Sequence, residues 1–161
     1  MRILGVDPGL STTGIGLIEA TGDDFRALDW MAITSDPGLS LTERLREIGE
    51  DFAKIVNEAH PELAVVEQIF FAKNEKTAIG VAHARGVFLM ILGKCGIPVI
   101  EVTPRQLKLA ITGDGAADKT QMGAMLLRWL KLDSVPKPAD AADALALAIY
   151  GGMMRKSVGV L

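Results

Sequence analysis

The chain has 161 residues, 49% of them hydrophobic, with a mean hydropathy of +0.29 and a formal net charge of −3. That length buries a sizeable core without staples, and the composition excludes a disordered chain. No apolar run is long enough for a membrane helix, the first residues lack a signal-peptide layout, and the lone Cys95 can form neither an internal disulfide nor a cysteine zinc site, so the expectation is a cytoplasmic protein.

Residues 1–67 hold 5 Lys/Arg against 13 Asp/Glu, whereas residues 68–161 hold 12 against 7. This asymmetry suits an electropositive face on the later half, although on charge alone an unevenly solvated surface is the favoured explanation.

Taken in chain order, Arg2–Val6 reads as a strand. Gly14–Ala20 reads as a second and Phe25–Thr34 as a third, with a hairpin-type turn at Gly22-Asp23-Asp24. From Ser40 to His60 the period changes: Leu41, Leu45, Ile48, Phe52, Ile55 and Val56 recur at helical steps, and Pro61 ends the helix. Leu63–Val66 is a short apolar run, as expected of a strand buried on both faces. Lys76–Gly93 reads as a helix rich in small residues, followed by a strand over residues 98–102 with Pro98 at its start. Thr103-Pro104 has the form of an N-cap with Pro at N1. A further helix is predicted around Asp118–Leu130 and a last one from Ala139 to Met153, with a loosely ordered tail over residues 151–161. The order is βββ-α-β-α-β-α-α, an α/β chain with a five-stranded mixed sheet flanked by helices and no internal repeat or linker.

Four acids stand out. Asp7 and Glu67 each follow a run that reads as a buried strand, where a carboxylate is costly unless it is paired or metal-bound. They would meet at the sheet's carboxyl end if their strands are parallel neighbours. Asp140 and Asp143, in PADAADALALAIY, share one face of an alanine-rich helix whose small side chains permit close approach to a sheet. Each feature alone has a plain structural explanation: Asp before Pro-Gly opens turns, and aspartates early in a helix complement its dipole. Together they would form a four-carboxylate cluster, which cannot stay fully ionised without cations. Oxygen-only ligands select Mg²⁺ or Mn²⁺, and two such ions ~4 Å apart can activate water and stabilise the leaving oxygen of a phosphodiester. The only histidines, His60 and His83, both fall in helical segments and read as structural.

The stretches MRILGVDPGLSTTGIGLIE, VVEQIFFAKNEKTAIGVAHARGVFLM, TPRQLK, GDGAADKTQM and PADAADALALAIY resemble, in order and over nearly the whole chain, the RuvC family of bacterial Holliday-junction resolvases. The resemblance implies a single ribonuclease H-like nuclease domain over residues 1–161 and a homodimer that nicks four-way DNA junctions symmetrically. It implies a site of Asp7, Glu67, Asp140 and Asp143 serving as catalytic and metal-binding residues, with two Mg²⁺ or Mn²⁺ ions per site and Asp7 bridging them. Some family members carry His at the third position; Asp140 here makes the site all-carboxylate. Products with 5′-phosphate and 3′-hydroxyl ends, a role in recombination and repair, and a branch-migration partner, RuvA–RuvB, are implied in the same way. The helix after Glu67 is expected to form the dimer interface, with Ala78, Val81, Ala82, Arg85, Gly86 and Leu89 as candidates.

For DNA contact, Phe70 matches a family position that stacks on a base at the crossover, and Phe71 stands beside it; such stacking is worth ~1–3 kcal/mol. Lys73, Lys76, Arg105, Lys108 and Lys119 form the basic set for phosphates, and the resemblance points most clearly to Lys108 and Lys119. Lys119 also falls in the first turn of a predicted helix, where backbone N–H groups favour anions.

Two competing readings have their own discriminants. The glycine-rich GVDPG…TTG stretch is similar to the phosphate loop of sugar kinases and actin-like ATPases, which need a second half that this chain has no length for; ATP binding would favour them. The glycines of this stretch are otherwise explained as hairpin geometry turning the chain back along the sheet. A non-catalytic junction-binding module would bind but not nick; the presence of all four acids argues against it.

Overall fold

The structure, a computed structural model, describes residues 1–69, 75–155 and 159, with residues 75–77 described as backbone alone. The elements are β1 (Arg2–Asp7), β2 (Thr12–Thr21), β3 (Asp24–Thr34), α1 (Leu41–Ala59), β4 (Leu63–Glu67), α2 (Glu75–Lys94), β5 (Val99–Val102), α3 (Pro104–Thr112), α4 (Lys119–Leu130) and α5 (Ala139–Met154). Three helices follow β5, one more than the predicted order has. The addition is α3, which begins at the Thr103-Pro104 signal and closes a capping box with Gln106. The last helix runs on to Met154 with Gly151 and Gly152 buried, so the expected tail starts too early. His60 lies just past α1 as its left-handed C-cap rather than within a helix.

The sheet order is β3-β2-β1-β4-β5. The first three strands form an antiparallel meander, and β4 and β5 join β1 in parallel. A two-residue turn with Gly22 at φ +57° links β2 to β3. Crossing back to a parallel neighbour requires an intervening helix, which α1 supplies before β4 and α2 before β5.

Both faces of the central strands are covered, and the period-two alternation of a strand sorts their residues. Ile3, Leu63 and Val65 face a core built with α3, α4 and α5, whereas Leu4, Val6, Ala64 and Val66 face a core built with α1 and α2. This explains why Leu63–Val66 is a continuous apolar run: all four residues are fully buried. Full burial of the Leu and Val side chains among them contributes roughly 1.5–3 kcal/mol each.

α5 lies unusually close to the sheet. A Cβ at Gly5 would fall 1.8 Å from the carbonyl oxygen of Ala144, at Gly14 1.9 Å from that of Asp140, and at Gly16 2.6 Å from the Leu145 nitrogen. None of the three has a positive φ. They serve backbone-to-backbone contact, not hairpin geometry, and the turn explanation holds only for Gly9, whose Cβ would meet Thr12 of its own turn.

Candidate active site

The alternation that buries β1 and β4 also aims their last residues. Val6 pairs with Val66 in parallel, so Asp7 and Glu67 come next, side by side, on the face that carries α5. The start of α5 completes the group. The Asp140 carbonyl rests over Gly14, and Gly14 is the residue paired with Asp7 across β1 and β2. Asp143 follows one helical step further on the same face.

The electrostatics record this convergence. Burial pushes the Asp7 carboxyl up to about 8, with the charges of Glu67, Asp143 and Asp140 adding to the rise and Lys119 opposing it. Burial likewise pushes Glu67 up to about 7, aided by Asp143 and opposed by Lys108. Asp143 is raised by burial first, with Asp140 adding and both Lys119 and Lys108 opposing. Asp7 is therefore the acid on which the other three act. Among the described residues no three acidic, His or Cys side chains are already gathered into a metal-holding group, so the four acids share one electrostatic neighbourhood without forming a closed cage. Their donor set is oxygen only, suited to hard divalent ions, and a cation there would relieve the repulsion that raises their pKa values.

Lys108, half-buried on α3, and Lys119, exposed at the first position of α4, face this cluster. Arg105 is exposed on α3, with its side chain against the backbone of Gly115. Lys76 is the second residue of α2, and nothing is described of its side chain; Phe70, Phe71 and Lys73 lie outside the described residues. Of the interface candidates on α2, Ala82 and Gly86 are exposed, Val81 and Leu89 are half-buried and Ala78 is buried. Arg85 turns inward: its Nε donates to the Glu67 carbonyl oxygen at 3.2 Å and its guanidinium pairs with Glu101.

Sequence reasoning missed the supports of the loop after Asp7. Thr13 is fully buried and its hydroxyl donates to the Gly9 carbonyl at 2.6 Å. Arg44 reaches from α1 to the hydroxyls of Ser35 and Ser11, each at 2.9 Å, and Ser35 donates to the Leu10 carbonyl. No periodicity signals such contacts; only the fold brings residues so far apart together. Beside the cluster, a cavity of about 770 Å³ opens between α4 and α5, lined chiefly by apolar groups such as Met122, Leu126 and Ala146, with Lys119 and Asp143 at its edge. Its lining offers little chemistry, so the carboxylate cluster and not the cavity is the candidate centre.

The family described as Crossover junction endodeoxyribonuclease RuvC matches residues 3–151. The RuvC of Synechococcus sp. (strain WH7803) is 44% identical over 155 residues, covering 96% of this chain and 100% of that protein. The RuvC of Chloroflexus aggregans is 46% identical, covering 92% and 91%. Among solved structures, Thermus thermophilus RuvC superposes with a TM-score of 0.90 at 29% identity, covering 99% of this chain and 98% of that one. The same protein in complex with a Holliday junction substrate also gives 0.90, covering 99% and 97%. The yeast mitochondrial Holliday junction resolvase Ydc2, at 12% identity and a TM-score of 0.67 over 98% and 81%, shares the ribonuclease H-like fold alone. With two-fifths or more of its residues in common with such relatives along almost its whole length, the chain belongs to the RuvC family of crossover junction endodeoxyribonucleases.

Proposed function

We propose that this enzyme resolves four-way DNA junctions by paired, metal-dependent nicks, and that Asp7, Glu67, Asp140 and Asp143 hold its divalent ions. The observation that carries this reading is the convergence of three acids on a half-buried Asp7 whose carboxyl they help push up to about 8. When bound, Mg²⁺ or Mn²⁺ supplies an activated water and neutralises charge on the scissile phosphodiester. The protein's own contribution is placement. Asp7 stands where all three other acids act on it, so it would be the central ligand of the group that would hold the ions. Lys108 and Lys119 flank the acids and offer ammonium groups to phosphate oxygens of the strand to be cut. Arg105, Lys73 and Lys76 extend this basic set, and Phe70 with Phe71 are the stacking residues for an unpaired base at the crossover. The ends left are a 5′-phosphate and a 3′-hydroxyl.

Two symmetric nicks need two sites facing one junction, and a C₂ dimer provides them. α2 offers a surface for it: Ile79, Ala82, Gly86 and Met90 lie exposed at helical spacing on the side away from the core. The resemblance also carries a cytoplasmic setting and partnership with RuvA–RuvB; among the described residues no helix is long and apolar enough to cross a membrane.

The test is a synthetic four-way junction, with and without Mg²⁺. The wild-type chain nicks two opposed strands only with metal. Asp7→Asn removes cleavage while retaining junction binding in a mobility-shift assay. Full nicking by Asp7→Asn in Mg²⁺ would overturn the assignment, and binding without nicking by the wild type would favour a non-catalytic junction-binding module.

A further inference from the structure

We propose that Arg85 is a positioning residue for the catalytic centre, fixing the Glu67 peptide from the far side of the sheet through a brace that Glu101 completes. The inference rests on the reading of Glu67 as a metal ligand.

Glu67 is the last residue of β4, where the ladder runs out. On one side Gln68 still donates to the Val102 carbonyl of β5 at 2.8 Å. On the other side the β1 residue after Asp7 is Pro8, which has no N–H to offer a neighbouring strand. The Glu67 carbonyl instead receives the Nε–H of Arg85, 3.2 Å away. A strand end held on only one side can rotate its final peptide, and that rotation swings the Cα–Cβ bond and the carboxylate with it.

The alternation of the strands shows that the brace comes from outside the site. Glu67 points to the α5 face, whereas Glu101, one residue before Val102 on β5, points to the α2 face. There it pairs with the Arg85 guanidinium, whose side chain is only 19% exposed. Arg85 therefore touches the backbone of the acid and not its carboxylate. Guanidinium geometry suits the task, because one planar fork serves the carbonyl and the Glu101 carboxylate at once; a lysine ammonium has no such fork. Groups that orient metal ligands in this way typically matter 10–100-fold for metal affinity or activity.

The test is Mn²⁺ binding to the DNA-free protein by titration calorimetry, with amide hydrogen exchange at Gln68 in the metal-free protein. Arg85→Met is expected to weaken Mn²⁺ binding about tenfold, the low end for supports of metal ligands, and Glu101→Gln to weaken it by less, because Arg85 keeps its bond to the Glu67 carbonyl. Both speed exchange at Gln68, and Arg85→Lys recovers only part of the Mn²⁺ affinity. Should Arg85→Met not fold, Glu101→Gln decides alone. Wild-type Mn²⁺ affinity and wild-type Gln68 exchange in a folded variant overturn the brace. Glu67→Gln tests the underlying reading separately: if it binds Mn²⁺ as the wild type does, the ligand assignment fails, while Gln68 exchange still reports on the brace.

Discussion

A carboxylate at the end of a buried strand costs stability, and Asp7 shows how much the site tolerates. Its carboxyl is raised to about 8 and that of Glu67 to about 7, from ordinary values of 3.8 and 4.5. Between those limits the folded chain holds more protons than the unfolded chain. Stability without metal is then greatest below about pH 4 as far as these two groups decide it, and is lost as pH rises through 7 and 8. The metal-free protein is therefore expected to melt at a lower temperature at pH 8 than at pH 5.5, and added Mg²⁺ to restore the difference, because an ion that binds only the folded state stabilises it. Asp7→Asn removes the largest contribution. At pH 8 it should raise the metal-free melting temperature by ~3 °C or more, the effect of about 1 kcal/mol in a chain of this size, while abolishing cleavage. Scanning calorimetry across this pH range checks both statements; an Asp7→Asn variant with the wild-type pH slope would show that Asp7 is not where the repulsion is stored.

The N-terminal turns of α5 are placed by what β1 and β2 lack. Gly14 lies under the Asp140 carbonyl, so a methyl group there meets backbone, which cannot swing aside as a side chain can. Gly14→Ala is expected to lift the end of the helix that carries Asp140 and Asp143. It should cost about 3 kcal/mol in denaturant unfolding and reduce cleavage in the fraction that stays folded. Gly22→Ala strains a left-handed turn far from the site and leaves that folded fraction fully active, which separates loss of stability from displacement of the acids. Equal specific activity in folded Gly14→Ala would refute the link. The alanines of α5 announced a close approach, and apolar runs bounded by turn residues marked every strand. The capping signal before α3 was visible too, although that helix dropped out of the predicted order. The glycines of β1 and β2 were misread because sequence shows where a Cβ is missing but not what occupies the space. Arg85 was misread for a related reason: on a helix of small residues, spacing does not separate the face that meets the sheet from the face that meets solvent. The parallel pairing of β1 with β4, on which the meeting of Asp7 and Glu67 depends, is a relation between distant segments that no local pattern carries.

At the scale of the whole molecule, under the proposed function one carboxylate cluster would cut one strand, and resolution would require two cuts in register. The exposed side of α2 is where a second copy fits the proposed function. Ile79 and Met90 are 60% and 50% exposed, and around Gly86 and Gly93 a Cβ would meet nothing within 4 Å. Glycines with open space and no positive φ are unneeded by the isolated fold; in a helix interior each costs it up to about 1 kcal/mol relative to alanine. In the proposed dimer they would let another backbone come near. Gly86→Arg should therefore leave the single chain as stable as before or more so, since arginine is a good helix former and clashes with nothing here, yet set two copies apart. Sedimentation should report a folded monomer. On a cruciform plasmid that variant should give singly nicked circles in place of the linear product of paired cuts, because each cut then requires its own encounter. The outcome contrasts with Asp7→Asn, which is expected to keep the dimer and lose the chemistry. A Gly86→Arg protein that remains dimeric and linearises the plasmid would move the interface off α2 and leave the four acids in place as the cutting centre.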